Sequence, residues 1–432
     1  MKFKIISLGC PKNLVESEYI THRLEKDGHS LSDDCDAVVV NTCAFISDAA
    51  KESIETVLEE AVAKESTGRR LIVTGCLVER YKNSLKELLP EVDLFVGRNS
   101  YSEIGNLIGS SGLVFNEGGF SGTFPRKILT SGPSAYLKIQ EGCDNRCTYC
   151  TVPDIRGPLT SRDVENVKEE FLWLLSEGYK EINIVGQDIT SFGKNSGTNL
   201  KSLLKSLLAV KGDYYLRLLY MHPRRIDEEL IDMMTHEQRI IPYMDMPIQH
   251  SEDSILMSMK RGYTRADMER LLGYITAKAP DMTLRTTLIL GFPGETEQDF
   301  ARLSEFVKKW EFDMLGAFMY SREEGTPACR MKGQIKKAVK KERYETIMEI
   351  QQEISKRRLS RLTGRTMKVI IEGEEQDHMV GRLLVQAPDI DGMAFIKGGG
   401  KIGEIREGKI VKTLAYDVIV ELQEGKKNGT NK

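Results

Sequence analysis

Along the first third of the chain, short apolar runs alternate with longer segments of helical period. Residues 4–8, 37–41 and 71–74 are β-branched runs of strand length, bounded by Gly, Asn or Thr. Each precedes a stretch with helical spacing, at 14–26, 49–64 and 78–89. A fourth run, 94–96, comes before a Gly- and Ser-rich segment, 109–122, which reads as a loop. Strands separated by single helices predict a small parallel sheet with right-handed crossovers.

From residue 135 the alternation restarts in longer units. Strands are expected at 136–140, 182–186, 215–220, 243–248, 284–290 and 314–320, with helices such as 164–176, 226–235, 265–277 and 297–310 between them. Six such units, where a closed barrel needs eight, predict a partial (β/α) barrel whose functional face is built by the loops after its strands. Residues 330–361 read as a basic helix with eleven Lys/Arg against four Glu, taken as a solvated face whose charge also suits ribosomal RNA. From 367 to 421, short strands with Gly turns predict a small β-barrel, and the end of the chain is a polar tail. The fold class is therefore α/β with three domains: 1–122, 131–361 and 363–432. That agrees with 432 residues at roughly 150 per domain.

Composition narrows the class. Hydrophobic residues at 40% are enough to bury a core, so the chain is not disordered. Lys+Arg 61 against Asp+Glu 64 excludes a protein basic along its whole length. The terminal segment 363–432 balances eleven Lys/Arg with eleven Asp/Glu, a poor reader of phosphate but suited to a basic protein partner. No apolar run approaches the ~18 residues of a membrane span. The opening MKFKIISLGC runs straight into a strand without a signal-peptide pattern. A cytoplasmic protein with no membrane contact is expected.

Six of the eight cysteines fall into two patterned sets. Cys143, Cys147 and Cys150 form C-x3-C-x2-C directly after the first expected barrel strand. Three clustered thiolates suit an iron–sulfur cube, whose fourth iron then stays open for another ligand. The plainer alternative is zinc with a distant fourth ligand, though zinc knuckles usually come as paired C-x2-C sets. Cys10, Cys43 and Cys76 are each 33 residues apart, and each ends an expected strand, in KIISLGC, AVVVNTC and LIVTGC. A parallel sheet brings all three to its carboxyl edge, where open α/β folds bind ligands. The alternative is three buried core cysteines, but their identical phase and turn-type flanks favour a second three-ligand cluster. Cys35 and Cys329 have no such company and read as structural.

The C-x3-C-x2-C loop on a β/α barrel resembles the radical S-adenosylmethionine superfamily, in which the open iron chelates the methionine moiety. Together with the amino-terminal cysteine set and the terminal β-barrel, the chain resembles the methylthiotransferase family over almost its whole length. SLGCPKNLVESE, NTCAFISDAAKESIETVLEE, VTGCLVERY, DNRCTYCTVPDIRGPLTSR, RTTLILGFPGETEQDF and QAPDIDG look like the branch that modifies a ribosomal protein, the twelfth of the small subunit. Transfer-RNA-modifying relatives usually carry a glutamine–methionine–asparagine stretch where this chain has Pro11, Lys12 and Asn13. Glu16, where Asp is common, and Tyr149, where this branch often has Phe, depart from the pattern.

The resemblance implies two 4Fe–4S clusters, on Cys143/Cys147/Cys150 and on Cys10/Cys43/Cys76, with S-adenosylmethionine as the other cofactor. It implies that Gly186, Gln187 and Asp188 contact the methionyl part, and that Tyr149, Gly291 and Gly294 lie near the adenine and ribose. Read as bare sequence, the same residues are a polar strand terminus, a packing aromatic and a tight turn. Arg156 suits a bidentate grip on a carboxylate or a tie for the cluster loop. His250 is the one histidine expected near the cavity. The expected reaction adds a methylthio group to the β-carbon of an aspartate. Because no ordinary side-chain base removes that C–H, radical chemistry is required, with electrons from a donor of the flavodoxin or ferredoxin type. The alternatives are the same reaction on a transfer-RNA adenosine, or a cluster-containing RNA-binding factor without turnover.

Overall fold

A computed structural model of the protein describes residues 1–116, 123–375 and 378–423. The end of the 109–122 segment and the polar tail lie outside the described residues. The amino-terminal domain is a six-stranded parallel sheet built from β1 (Lys2–Ser7), β2 (Ser30–Leu31), β3 (Ala37–Thr42), β4 (Arg70–Gly75), β5 (Leu94–Val96) and β6 (Gly112–Val114). Its order is β2-β1-β3-β4-β5-β6, so β3 is central and buried along its whole length. Val38 and Val40 pack with Val57, Ala61 and Leu77 on one face, while Val39 joins Ile20, Leu24 and Tyr101 on the other. Helices on both faces explain the unbroken Ala-Val-Val-Val run, because a strand covered twice has no solvent side to alternate with.

Three local features differ from the pattern. The two-residue β2 and the three-residue β6 are edge strands too short to show a period, and β6 lies in the segment expected as loop. The helix expected over 78–89 breaks at Lys82, whose φ of 45° ends Cys76–Tyr81 before a 3-10 turn.

The central domain consists of two parallel sheets. One has the order β11-β10-β7, from β7 (Ser134–Lys138), β10 (Glu181–Val185) and β11 (Tyr215–Leu218). The other has the order β12-β13-β14, from β12 (Tyr243–Asp245), β13 (Thr283–Leu290) and β14 (Met314–Met319). A single bridge, Leu216 to Ile240, joins β11 to the approach of β12. A short ribbon, β8 (Gln140–Glu141) with β9 (Thr160–Ser161), closes the loop after β7. Leu137, Ile184, Leu218, Met244 and Leu288 face the helices in the largest core. Alternate residues, among them Tyr136, Arg217 and Tyr243, line the opposite, inner face.

That inner face is filled by the neighbouring domains. Leu14 and Val15 of the helix Pro11–Lys26 pack with Tyr136, Leu219 and Tyr243, and so do Leu384 and Ala387 of the terminal domain. The terminal domain is a closed barrel ordered β15-β16-β17-β19-β18, from β15 (Thr366–Glu375), β16 (His378–Leu383), β17 (Ala394–Lys397), β18 (Ile405–Thr413) and β19 (Val418–Leu422). Arg217 donates to the Leu384 and Gln386 carbonyls at 2.6 and 2.9 Å, and the Tyr243 hydroxyl donates to Asp391 at 2.7 Å. The QAPDIDG loop thus seats inside the partial barrel.

The basic helix Lys337–Ser360 is not a free solvated face. Ile347 and Ile354 belong to the large core, Arg343 is buried against Glu295 at 2.7 Å, and Arg358 pairs with Asp313. Counting charges missed this because the apolar stripe is narrow. Among the described residues, no helix is long and apolar enough to cross a membrane.

Candidate active site at the junction of sheet and barrel

The parallel register brings the first cysteine set together. Cys10 caps the helix Pro11–Lys26, Cys43 follows β3 directly, and Cys76 opens the helix after β4. Close approach explains the preceding glycines. Gly9 has φ +86°, and a Cβ there would lie 2.5 Å from Cys43 Cβ. Gly75 has φ +94°, and its Cβ would meet the Thr42 carbonyl at 2.4 Å. Asn13 Nδ2 donates to the Leu8 and Thr42 carbonyls, which ties the first loop to the second. Ser53 brackets Cys43, accepting from its N–H and donating to its carbonyl at 2.9 and 2.8 Å.

The second set lies on one loop after β8. Gly142 (φ +67°) lets this loop lie against Pro158, where a Cβ would stand 2.1 Å from the carbonyl oxygen. Cys143 N–H donates to Gly157 O at 3.2 Å, Thr148 N–H to Met259 O at 3.2 Å, and Cys150 N–H to Cys147 O at 3.1 Å. Arg261, buried, points Nη1 at Cys147 Sγ, 3.4 Å away, and at the Tyr149 hydroxyl. Tyr149 stands edge-on to Phe292 of the Gly291–Gly294 turn, 6.5 Å between ring centres, so that turn and the cysteine loop share one wall.

The five-residue helix Val152–Arg156 joins the two sets. It begins two residues after Cys150, its Ile155 packs in the core of the amino-terminal domain, and Arg156 donates to Cys76 Sγ at 3.2 Å and to Asn13. Arg156 also pairs with Glu16 at 2.7 Å and with Glu141 at 3.2 Å. Arg98 and Lys138 bind the same two carboxylates, at 2.8 and 2.5 Å from Arg98 and at 2.7 and 2.5 Å from Lys138. Among the described residues, three buried cations thus face the two buried carboxylates Glu16 and Glu141 beside Cys76. Burial alone would raise the Glu16 carboxyl, but Arg156, Arg98 and Lys138 outweigh it and bring it down to about 2. Glu16 and Arg98 come from one domain, Lys138, Glu141 and Arg156 from the other, so the network also locks the two together.

Asp188 accepts from Asn145 and Arg225, each at 2.7 Å, and so ties the cysteine loop to the end of β10. Gln187 donates to Glu141 at 2.8 Å, while its Oε1 is buried with no protein partner among the described residues. A Cβ on Gly186 would stand 2.7 Å from Gln140, whose own Oε1 is likewise unpartnered. His250 is fully buried, 3.6 Å from Glu295, and Glu295 accepts from the Gly291 and Phe292 N–H groups, so His250 stands behind the Gly291–Gly294 turn. The sequence pattern missed the Glu16/Glu141/Arg98/Lys138 network and Arg261. Lone charged residues on strands and loops carry no period, although a Lys138 expected mid-strand was a signal.

The donor set fits clusters bound by thiolates. Burial pushes the Cys143 thiol up to about 11 and Cys43 up to about 12, with neighbouring thiols adding to both. Cys76 and Cys150 are raised the same way. Such thiols ionise only against a strongly positive group, which an iron–sulfur core provides. Burial opposes ionisation of Cys10 too, but Lys12 and Arg156 outweigh it and lower its pKa. Among the described residues, no three His, Cys, Asp or Glu side chains converge tightly enough to hold one metal ion. The corners of a cube set its ligands further apart. The unpartnered Gln187 and Gln140 oxygens are acceptors of the kind an ammonium group takes.

Comparison with known proteins fits this geometry. The Radical SAM superfamily matches residues 137–307, Uncharacterized protein family UPF0004 matches 2–97, and the TRAM domain matches 363–422. A solved radical S-adenosylmethionine methyltransferase, TsrM from Kitasatospora setae, with cobalamin and a [4Fe-4S] cluster bound, shares the fold. Its TM-score is 0.56 at 16% identity over 76% of this chain and 73% of that one. The class is that of a radical S-adenosylmethionine protein with an iron–sulfur cluster. The ribosomal protein uS12 methylthiotransferase RimO of Acetivibrio thermocellus is 42% identical over 98% of each chain. That of Thermotoga maritima is 40% identical over 97% of this chain and 99% of its own. The chain belongs to the RimO family.

Proposed function

We propose that the chain is a radical S-adenosylmethionine methylthiotransferase that adds a methylthio group to the β-carbon of an aspartate of ribosomal protein uS12. The observation that carries this reading is the pairing of two three-cysteine sets across the single helix Val152–Arg156. In this reading Cys143, Cys147 and Cys150 hold one 4Fe–4S cluster, and Cys10, Cys43 and Cys76 hold the second. When bound, the clusters and S-adenosylmethionine supply a hydrogen-abstracting radical and a sulfur that carries a methyl group.

The protein's own residues position and enclose these groups. Gln187 offers its unpartnered Oε1 to the cofactor ammonium group, Gly186 leaves room for the Gln140 side chain, and Asp188 fixes the loop. Tyr149, Gly291 and Gly294 form the wall for the adenosine part. Arg156 donates to Cys76 and keeps the two sets in register. Residues 1–122 form the domain of the second cluster, 131–361 the radical domain and 363–432 the docking domain for uS12. That last domain is of the TRAM type. The reading includes a flavodoxin- or ferredoxin-type electron donor and a cytoplasmic setting.

The test is mass spectrometry of uS12 from cells with and without this chain. The expected result is a methylthio increment on one aspartate that disappears with the chain. Persistence of that increment, or loss of a methylthio group from transfer RNA instead, overturns the reading.

A further inference from the structure

The helix Ser47–Thr67 begins just after the Cys43 turn, and its own N-cap residue does nothing for it. That residue is Ile46, whose side chain makes no capping hydrogen bond. Helix starts leave N–H groups free, and Ser, Thr, Asp or Asn normally accepts from them; isoleucine cannot. The acceptor comes instead from another domain, 276 positions along the chain. Glu323, in the segment after β14, accepts from the Ser47 N–H at 2.8 Å and from the Ser47 hydroxyl at 2.9 Å. Its other oxygen pairs with Arg80 at 2.8 Å, and only 5% of the Glu323 side chain is exposed. A carboxylate there also complements the positive end of the helix dipole.

The stretch from Cys43 to Ser47 is fastened from both domains. On its own side, Ser53 brackets Cys43, and Arg80 Nη1 donates to the Ala44 carbonyl at 2.8 Å. On the other, the Thr151 hydroxyl donates to the Phe45 carbonyl at 3.1 Å, and Glu323 takes Ser47. Thr151 directly follows Cys150, so the stretch after one cysteine set touches the end of the other. The Glu323 segment reaches the same loop, because Ala328 N–H donates to the Thr148 carbonyl at 2.9 Å. Arg80 is held by Glu323 in turn, so the fastening at Ala44 also passes through that carboxylate. The helix after Cys43 is therefore completed only where the two domains meet.

We propose that Glu323 is a positioning residue for methylthio transfer: by capping the helix after Cys43 from the central domain, it sets where the amino-terminal cysteine set stands relative to the loop set. This deepens the methylthiotransferase reading above and rests on it. In that reading the radical is made at the loop set, and the sulfur is delivered from the sheet set. Transfer needs the two in register, whereas radical formation draws on the loop set alone. Loosening the Glu323 clasp therefore separates the two events. Arg156 holds the Cys76 side of the sheet set, and Glu323 holds the Cys43 side.

The test breaks the clasp from each side in full-length, anaerobically reconstituted protein. Glu323→Ala removes the acceptor. Ser47→Pro removes both donors at the first helical position, where proline is favoured, and Ile46 already has the extended backbone that a following proline requires. The helix start thus survives in Ser47→Pro while the clasp does not. Modified aspartate in uS12 is measured per deoxyadenosine formed. The ratio should fall at least about tenfold in both variants, since a misplacement of about 1 Å can cost on the order of 10²-fold. Glu323→Gln, which keeps an acceptor for Ser47, should recover part of the ratio. Iron content equal to wild type is the control for folding. An unchanged ratio in Ser47→Pro overturns the proposal, and so does a parallel fall of product and deoxyadenosine. Hydrogen exchange over residues 43–50, read without substrate, should quicken in Glu323→Ala; unchanged exchange overturns the clasp whatever the substrate is. Wild-type protein that makes deoxyadenosine but leaves uS12 unmodified overturns the uS12 reading instead.

Discussion

Cys143, Cys147 and Cys150 come from eight consecutive residues, whereas Cys10, Cys43 and Cys76 are gathered from three strand ends spread over 67. The first set needs only a loop to close, at small entropic cost. The second exists only once three parallel strands are in register, with Gly9 and Gly75 allowing the turns to touch. Their surroundings differ as well. The loop set has one buried cation, Arg261, aimed at Cys147. The sheet set has Arg156 at Cys76, with Lys12 and Arg156 together lowering Cys10 against the effect of burial. On the proposed function, local assembly suits a site that must bind and release a cofactor, and assembly through the domain junction suits a site whose position relative to that cofactor matters.

The sharpest break between the two is the division of labour proposed for them. Replacing Cys143, Cys147 and Cys150 with Ala should abolish 5′-deoxyadenosine formation and cut bound iron from about eight to about four per chain. Replacing Cys10, Cys43 and Cys76 should halve iron equally, yet leave deoxyadenosine measurable while methylthio transfer disappears. Deoxyadenosine and modified aspartate are read in the same tube, with matched circular dichroism. If the second triple variant still modifies uS12, the two sets do not divide the work.

Arg156 tests whether the second set depends on the barrel. It belongs to the loop set by sequence and to the sheet set by contact. Arg156→Met leaves Glu16 and Glu141 with fewer partners in a buried network, a change of about 3–5 kcal/mol where one member of a buried pair is lost. Iron at the sheet set should fall selectively while the loop-set cluster keeps its absorption. Equal loss from both would make Arg156 a general staple.

How far the sequence discloses this follows from the same contrast. Both cysteine sets were readable, one from spacing and one from phase within the β/α alternation. The three-domain α/β order was readable for the same reason, since six-residue strands and helices of three turns carry clear periods. The seam was not. Glu16, Lys138, Glu141 and Arg98 are single charges on unlike elements, and only the folded chain reveals that they meet. Edge strands β2 and β6 were too short to register. The basic helix hid its buried stripe of Ile347, Gln351 and Ile354 beneath seven cations. Arg382 and the QAPDIDG loop looked like parts of an independent module, yet they reach the inner face of the partial barrel.

That last seam supplies the mildest test, because it lies away from both cysteine sets. Glu181 is fully buried between Arg217, at 2.8 Å, and Arg382. Burial alone would raise its carboxyl, but Arg382 and then Arg217 outweigh it and bring it down to about 2. A carboxylate whose folded value lies below its unfolded one adds stability above the unfolded value, roughly 4.3, and loses it as pH falls toward the folded value. The contribution is on the order of 3 kcal/mol, present at pH 7 and vanishing between about pH 4 and 2. Denaturant unfolding of the cluster-free protein should therefore show wild type more stable than Glu181→Gln at pH 7, with the gap closing through that window. Deoxyadenosine formation by the reconstituted variant at pH 7 should fall no further than its folded fraction. A gap that stays constant with pH would show that the pair adds nothing to the seam. A selective loss of one cluster would show that the terminal domain reaches the cysteine sets after all.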